Sequence, residues 1–157
     1  MTTEHTSPQQ APIGGSDDRS ERFARGQATL ASIHGHVGQG VMARLQDIAP
    51  DFARMIIEFP YGDLYSRGVL SPRERQIATI ASLITQGNAP TELKAHLQGA
   101  LNVGCSRQDV VELIMQMAVY AGFPAALNAM FVAQGLFEEL DARSADGTSP
   151  PAQGASR

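Results

Sequence analysis

A single cysteine, Cys105, stands in a chain of 157 residues. No intramolecular disulfide can form, and the Cys-x-x-Cys pair of thiol redox chemistry is excluded. One lone thiol fits a reducing compartment. Basic residues are also scarce: Lys and Arg number 12 against 16 Asp and Glu, a formal net charge of −4. Nucleic-acid phosphates call for a concentrated basic face. The nearest approach to one, Arg19, Arg22 and Arg25, is interleaved with Asp17, Asp18 and Glu21 and reads as solvated helix face. No apolar run of bilayer-spanning length escapes interruption by Gly, Pro, Asn or Gln. The start, Met1-Thr2-Thr3-Glu4-His5, lacks the basic end and apolar centre of a signal peptide. Neither nucleic acid nor membrane is therefore expected as a partner, and the cytoplasm is the expected address. Sustained period-two alternation is missing as well, so no strand is expected.

What remains is an ordinary globular composition, 43% hydrophobic and 18% charged, in a chain with room for one domain. Residues 1–18 and 143–157 are rich in Thr, Ser, Pro, Gln, Gly and Ala with few large apolar side chains. Too little apolar surface is available there to offset the entropy of ordering, so both are expected to be disordered tails flanking a helical domain at 19–142.

Helix punctuation dominates that domain. Ser71-Pro72-Arg73-Glu74 combines an N-cap, a first-turn proline and a capping-box acid, and Ile77, Ile80, Ala81 and Ile84 follow at helical spacing. Gly87-Asn88-Ala89-Pro90 separates this helix from the next, whose stripe is Leu93, Leu97, Ala100 and Leu101 and whose end is Gly104. Ser106 caps a further helix, with Asp109 near its N-terminal amides. Upstream, helices are expected over about Ser20–Ile33, Val41–Ile48 and Pro50–Phe59, with an aromatic turn from Phe59 to Arg67. From Val110 to Ala133 the chain is apolar on nearly all sides, broken at Gly122-Phe123-Pro124. A helix apolar all round must be covered on every face, either by its own neighbours or by a second copy of the chain; in so small a domain the second copy is the economical cover.

His96 is the leading candidate for chemistry. It lies between Leu93 and Ala100 at helical spacing, where a lone histidine is more often a satisfied core residue than a catalyst. Glu92 stands four residues earlier on the same face; a carboxylate there would raise the imidazole pKa and fix its tautomer, or would serve only the helix N-terminus. Arg67 is of the type that clamps an anionic carboxylate bidentately, or is a plain turn arginine. His34 and His36 flank Gly35, but no Asp, Glu or Cys at ligand spacing completes a metal set, so no metal is expected. Cys105 reads as an inert loop thiol.

Several of these segments together resemble the carboxymuconolactone decarboxylase family. They are Leu70-Ser71-Pro72-Arg73-Glu74-Arg75, Glu92-Leu93-Lys94-Ala95-His96, Ala100-Leu101-Asn102-Val103-Gly104, and Ala118-Val119-Tyr120-Ala121-Gly122-Phe123-Pro124-Ala125-Ala126-Leu127-Asn128-Ala129. Arg25-Gly26, Gly35-His36-Val37 and Tyr61-Gly62-Asp63-Leu64-Tyr65-Ser66-Arg67 are similar too, so the likeness runs from about Arg22 to Leu140. It implies an all-α fold of about six helices, of the alkylhydroperoxidase D-like kind, assembled as a homotrimer or homohexamer. It also implies cofactor-free decarboxylation of a small lactone carboxylate in aromatic catabolism: the carboxylate leaves from a carbon vinylogous to a lactone carbonyl, and the resulting dienolate is protonated. By position, His96 would be the acid or oxyanion donor and Glu92 its orienting partner. Arg67 would clamp a carboxylate, with Tyr61, Tyr65 and His36 also lining the substrate site. The peroxidase branch of the same superfamily uses Cys-x-x-Cys-x-x-x-His, and Glu92 and Ala89 stand where its cysteines would be. Family members usually carry Trp where Tyr61 and Tyr65 stand, so the resemblance does not fix the shape of the pocket or the identity of the substrate. Other biosynthetic chemistry, or a non-catalytic helical oligomer, would use the same fold.

Overall fold

The computed structural model describes residues 16–146. Its elements are α1 (Ser16–Gln46), α2 (Pro50–Ile56), a π-helix (Ile57–Tyr65), α3 (Pro72–Gln86), α4 (Pro90–Asn102), α5 (Arg107–Tyr120) and α6 (Phe123–Ala145), and no strand occurs among the described residues. The tails expected at 1–18 and 143–157 lie outside the described residues, apart from the ends of α1 and α6. Among the described residues no helix is long and apolar enough to cross a membrane.

Local chemistry accounts for the helix starts. Ser71 accepts from the Glu74 amide while the Glu74 carboxylate takes the Ser71 amide, and Ser106 and Asp109 repeat the arrangement at α5. Each box satisfies donors that a helix start otherwise leaves open, worth about 1 kcal/mol. Gly87 ends α3 in the left-handed region at φ 70°, where glycine carries no Cβ penalty.

Two buried clusters form. Ile80, Ile84, Leu93, Leu97, Val110, Ile114, Ala129 and Ala133 are among the side chains that fill the bundle of α3 to α6. A smaller cluster, Leu30, Ile33, Ile57 and Tyr61, joins α1 to the π-helix. Arg22 adds a bidentate ion pair to Asp63, and Arg25 Nε donates to the Gly62 carbonyl at 2.7 Å. α1 also packs on α4, so the two clusters meet along that seam.

Upstream, the structure differs from the sequence reading in two places. The helices expected at Ser20–Ile33 and Val41–Ile48 are the two helical segments of α1, which meet at Gly35 (φ 55°, ψ −141°, not helical), so the second begins earlier than expected. The glycines between His34 and Gly40 weaken a helix by only about 1 kcal/mol each, and tertiary packing decides the outcome. The expected aromatic turn is the π-helix. Pro60 within it has no N–H, and its ring would crowd an α-helical carbonyl; the wider ladder accommodates it.

The apolar stretch from Val110 to Ala133 is covered on one side only. Val119, Tyr120 and Phe123 are 78%, 75% and 81% exposed, and Met115, Leu127 and Phe131 are exposed with them. Neighbours within the single chain do not wrap α5 and α6.

Candidate functional site

At the seam between the clusters two imidazoles meet. The His34 and His96 rings stand edge to face, with centroids 5.0 Å apart. His34 reaches this position because α1 breaks directly after it at Gly35, whose positive φ suits glycine. The kink frees the Ile33 carbonyl, and Asn102 Nδ2 on α4 donates to it at 2.8 Å. Opposite the ring, α4 carries Gly99, where a Cβ would stand 2.9 Å from His34 Cε1. A larger residue would push the imidazole off the helix.

His96 is held from α3. Its Nδ1 lies 2.9 Å from Oε1 of Gln76, a side chain with no exposure to solvent. Burial, and secondly the like charge of His34, pull the His96 pKa down to about 4. Burial likewise lowers the His34 pKa, opposed by a hydrogen bond to the Ala95 backbone. Both rings are therefore neutral at neutral pH.

Aromatic and cationic groups extend the cluster. Tyr61 contacts His34 edge-on at 5.7 Å and Tyr65 at 5.4 Å between centroids. The Tyr65 hydroxyl shares a 2.7 Å hydrogen bond with Thr79. Arg75 sits with Cζ 5.6 Å from the Tyr65 ring centre and donates from Nη2 to the Arg67 carbonyl at 3.3 Å. Three buried polar atoms in this neighbourhood have no hydrogen-bond partner: His34 Nε2, Arg75 Nε and Gln76 Nε2. Unpartnered buried polar atoms are costly, and three of them along one chain of contacts fit a site that takes up polar ligand atoms.

Of the residues singled out from sequence, His96, Tyr61 and Tyr65 come together; Glu92, Arg67 and His36 do not. Glu92 is exposed and makes no bond to His96. His96 turns inward to a buried amide oxygen, while the carboxylate stays in water at the first turn of α4, where the helix N-terminus favours it. Arg67 is exposed after the π-helix and offers the cluster its backbone carbonyl, so the guanidinium beside Tyr65 belongs to Arg75. His36 is exposed, beyond the Gly35 kink that His34 precedes. Cys105 is buried, and burial raises its pKa.

The residues missed were Gln76, Arg75 and Thr79, while His34 was weighed only as a metal ligand. Gln76 carried a signal: it precedes Ile80 and Ile84 at steps of four, a polar residue on a buried stripe. His34 carried a similar one, beside Ile33 and four after Leu30. Among the described residues no three His, Cys, Asp or Glu side chains gather as a metal-holding group. Two surface cavities lie away from the cluster. One, about 190 Å³, includes Leu83, Pro90, Asn128 and Val132 in its lining; the other, about 480 Å³, lies in the crook of α1 between Phe23 and Met42.

Comparison with known proteins identifies relatives of the sequence. Residues 50–135 match the model of the carboxymuconolactone decarboxylase family. The 4-carboxymuconolactone decarboxylase of Acinetobacter baylyi is 33% identical over 122 residues, covering 76% of this chain and 90% of the relative. The nitrosuccinic acid decarboxylase of Metarhizium robertsii is 31% identical over 86 residues, 55% of this chain and 59% of that protein. Peroxisomal protein 2 of Schizosaccharomyces pombe is 34% identical over 88 residues, 55% of this chain and 41% of its own length.

Proposed function

The chain belongs to the carboxymuconolactone decarboxylase family, and from that premise we propose that it is a cofactor-independent decarboxylase of a small carboxylated lactone, 4-carboxymuconolactone or a similar polycarboxylate. The observation that carries this reading is the His96 imidazole, neutral and fixed by Gln76, among buried polar atoms that lack partners. A decarboxylation of this type needs an anchor for carboxylate, polar groups for the developing oxyanion and a proton for carbon. Arg75 takes the anchoring role that the family resemblance had given to Arg67: its charge is permanent, and its buried Nε has no partner. Tyr61 and Tyr65 line the same cluster. In the reaction the C–C bond to the carboxylate breaks and carbon dioxide leaves. The electron pair passes into a dienolate, and a proton that the His96 ring takes from water once the anionic substrate is bound closes the C–H bond of the product.

The exposed faces of α5 and α6 support a homo-oligomer, three or six copies by likeness to the family, and a cytoplasmic place of action goes with a substrate of aromatic catabolism. A lone buried Cys105 gives no support to peroxide reduction. A second reading, a non-catalytic helical oligomer, draws on one observation: the two cavities described above lie away from His96.

Ultraviolet monitoring of 4-carboxymuconolactone with purified protein and no added metal separates the two. Turnover that disappears in His96→Ala supports the decarboxylase. A folded, oligomeric wild type inert toward lactone and keto polycarboxylates leaves the second reading.

A further inference from the structure

His34 has no part in the chemistry derived so far, yet it is the more deeply buried of the two histidines at the seam, 5% exposed. Each ring has one nitrogen committed. His96 turns Nδ1 to the amide oxygen of Gln76, an acceptor only, so Nδ1 carries the hydrogen and Nε2 is bare in the neutral ring. His34 bonds the Ala95 backbone. Its Nε2 is buried without a partner, so the nitrogen turned to Ala95 is Nδ1, and here too Nε2 is the bare atom. Two bare Nε2 atoms therefore belong to rings whose centroids are 5.0 Å apart.

We propose that His34 is the second imidazole of this site, and that His34 and His96 together hold one transferable proton on their Nε2 atoms. The groups in contact with the pair are Tyr61 from the π-helix and Gln76 from α3, with Tyr65 beyond Tyr61 and Arg75 beyond Tyr65; the α4 carboxylate, Glu92, is exposed to solvent. None of them is an anion able to hold a second positive charge. An anionic ligand supplies that missing negative charge, and the pair then takes one proton from water. A charge on either ring opposes charging the other, so the uptake stops at one.

The final step rests on the decarboxylase reading. The C–C bond to the leaving carboxylate breaks, carbon dioxide departs, and the proton passes from Nε2 to the carbon that receives the electron pair. The imidazole returns to neutral until water reprotonates it. Gln76 and Ala95 act as positioning groups, keeping both Nδ1 atoms out of the exchange.

Long-range 1H–15N correlation of the histidine rings in the full-length 15N-labelled protein tests the pairing without any substrate. The expected spectrum at neutral pH has Nδ1 protonated and Nε2 bare on both rings, and acidification fills the pair in two separated steps. In His34→Gln the His96 midpoint moves upward, because the like charge beside it is gone. Protonation of either ring on Nε2 at neutral pH would overturn the proposal, as would an unchanged His96 midpoint in His34→Gln. Should that variant not fold, the wild-type titration decides: each ring's signals are expected to move in both steps, and a ring that responds to its own midpoint alone rejects the pair. These spectra separate the pairing from the reaction, since a wild type without lactone turnover but with the expected tautomers loses the decarboxylase and keeps the pair.

Discussion

His34 lies so close over Gly99 that a single methyl group on α4 would stand 2.9 Å from Cε1 and 3.0 Å from Nδ1 of the imidazole. The ring rests on the backbone of the helix that carries His96, and it is held on its other side by Tyr61. Gly99→Ala is therefore expected to destabilise the fold by about 1–3 kcal/mol, the usual cost of overpacking a filled interior. Chemical denaturation measures this. Turnover should fall by more than the lost stability explains, because the methyl group displaces the ring.

Gln76→Leu removes the acceptor of a buried N–H and leaves it unsatisfied, at a cost of about 1–3 kcal/mol. Gln76→Glu acts in the opposite sense on His96: a carboxylate 2.9 Å from Nδ1 stabilises the imidazolium and raises its pKa. The pH profile of turnover should then move toward higher pH. An unmoved profile in Gln76→Glu would mean that His96 is not the titrating group.

Acid should unfold this protein earlier than its surface charges imply. Both histidines have folded-state pKa values below the ordinary 6.5, His96 at about 4. Over that window the unfolded chain binds more protons than the folded one, so stability is complete above pH 6.5 and is lost as pH falls toward 4. Thermal unfolding midpoints followed from neutral pH downward should decline across this interval. The decline should be shallower in a His34→Gln, His96→Gln double variant.

Arg75 and Arg67 should part company in kinetics. Losing a charge-assisted hydrogen bond to a carboxylate removes about 1.5–3 kcal/mol, so Arg75→Met should raise KM by about tenfold or more. Arg67→Ala should change it little, since Arg67 lends the cluster only a backbone carbonyl. Equal effects of the two replacements would return the clamp to Arg67.

The bundle was legible because its signals are local. Ser71 with Glu74, Ser106 with Asp109, and the steps from Ile80 to Ile84 and from Leu93 to Leu97 each act within one or two turns. The site was legible only where a residue type announces itself, as at His96, Tyr61 and Tyr65. Glu92 misled because four residues of helix bring two side chains near each other without settling whether burial or water claims each. Its carboxylate stayed in solvent, and Gln76, twenty residues earlier, took the imidazole. His34 depends on three distant facts at once: the backbone of Gly35, the missing side chain of Gly99 and the Asn102 bond to Ile33. No window of sequence contains all three.

The π-helix at Ile57–Tyr65 acts as a phase shifter between the two halves of the chain. One residue of α-helix is about 100° of rotation. Deleting Pro60 so that the ladder closes as an ordinary helix would turn everything before it by that angle relative to Tyr61 and Tyr65. Asp63 and Gly62 would swing away from Arg22 and Arg25, and with them would go the docking of α1 that brings His34 to His96. The length of this one segment sets the register in which the two imidazoles meet.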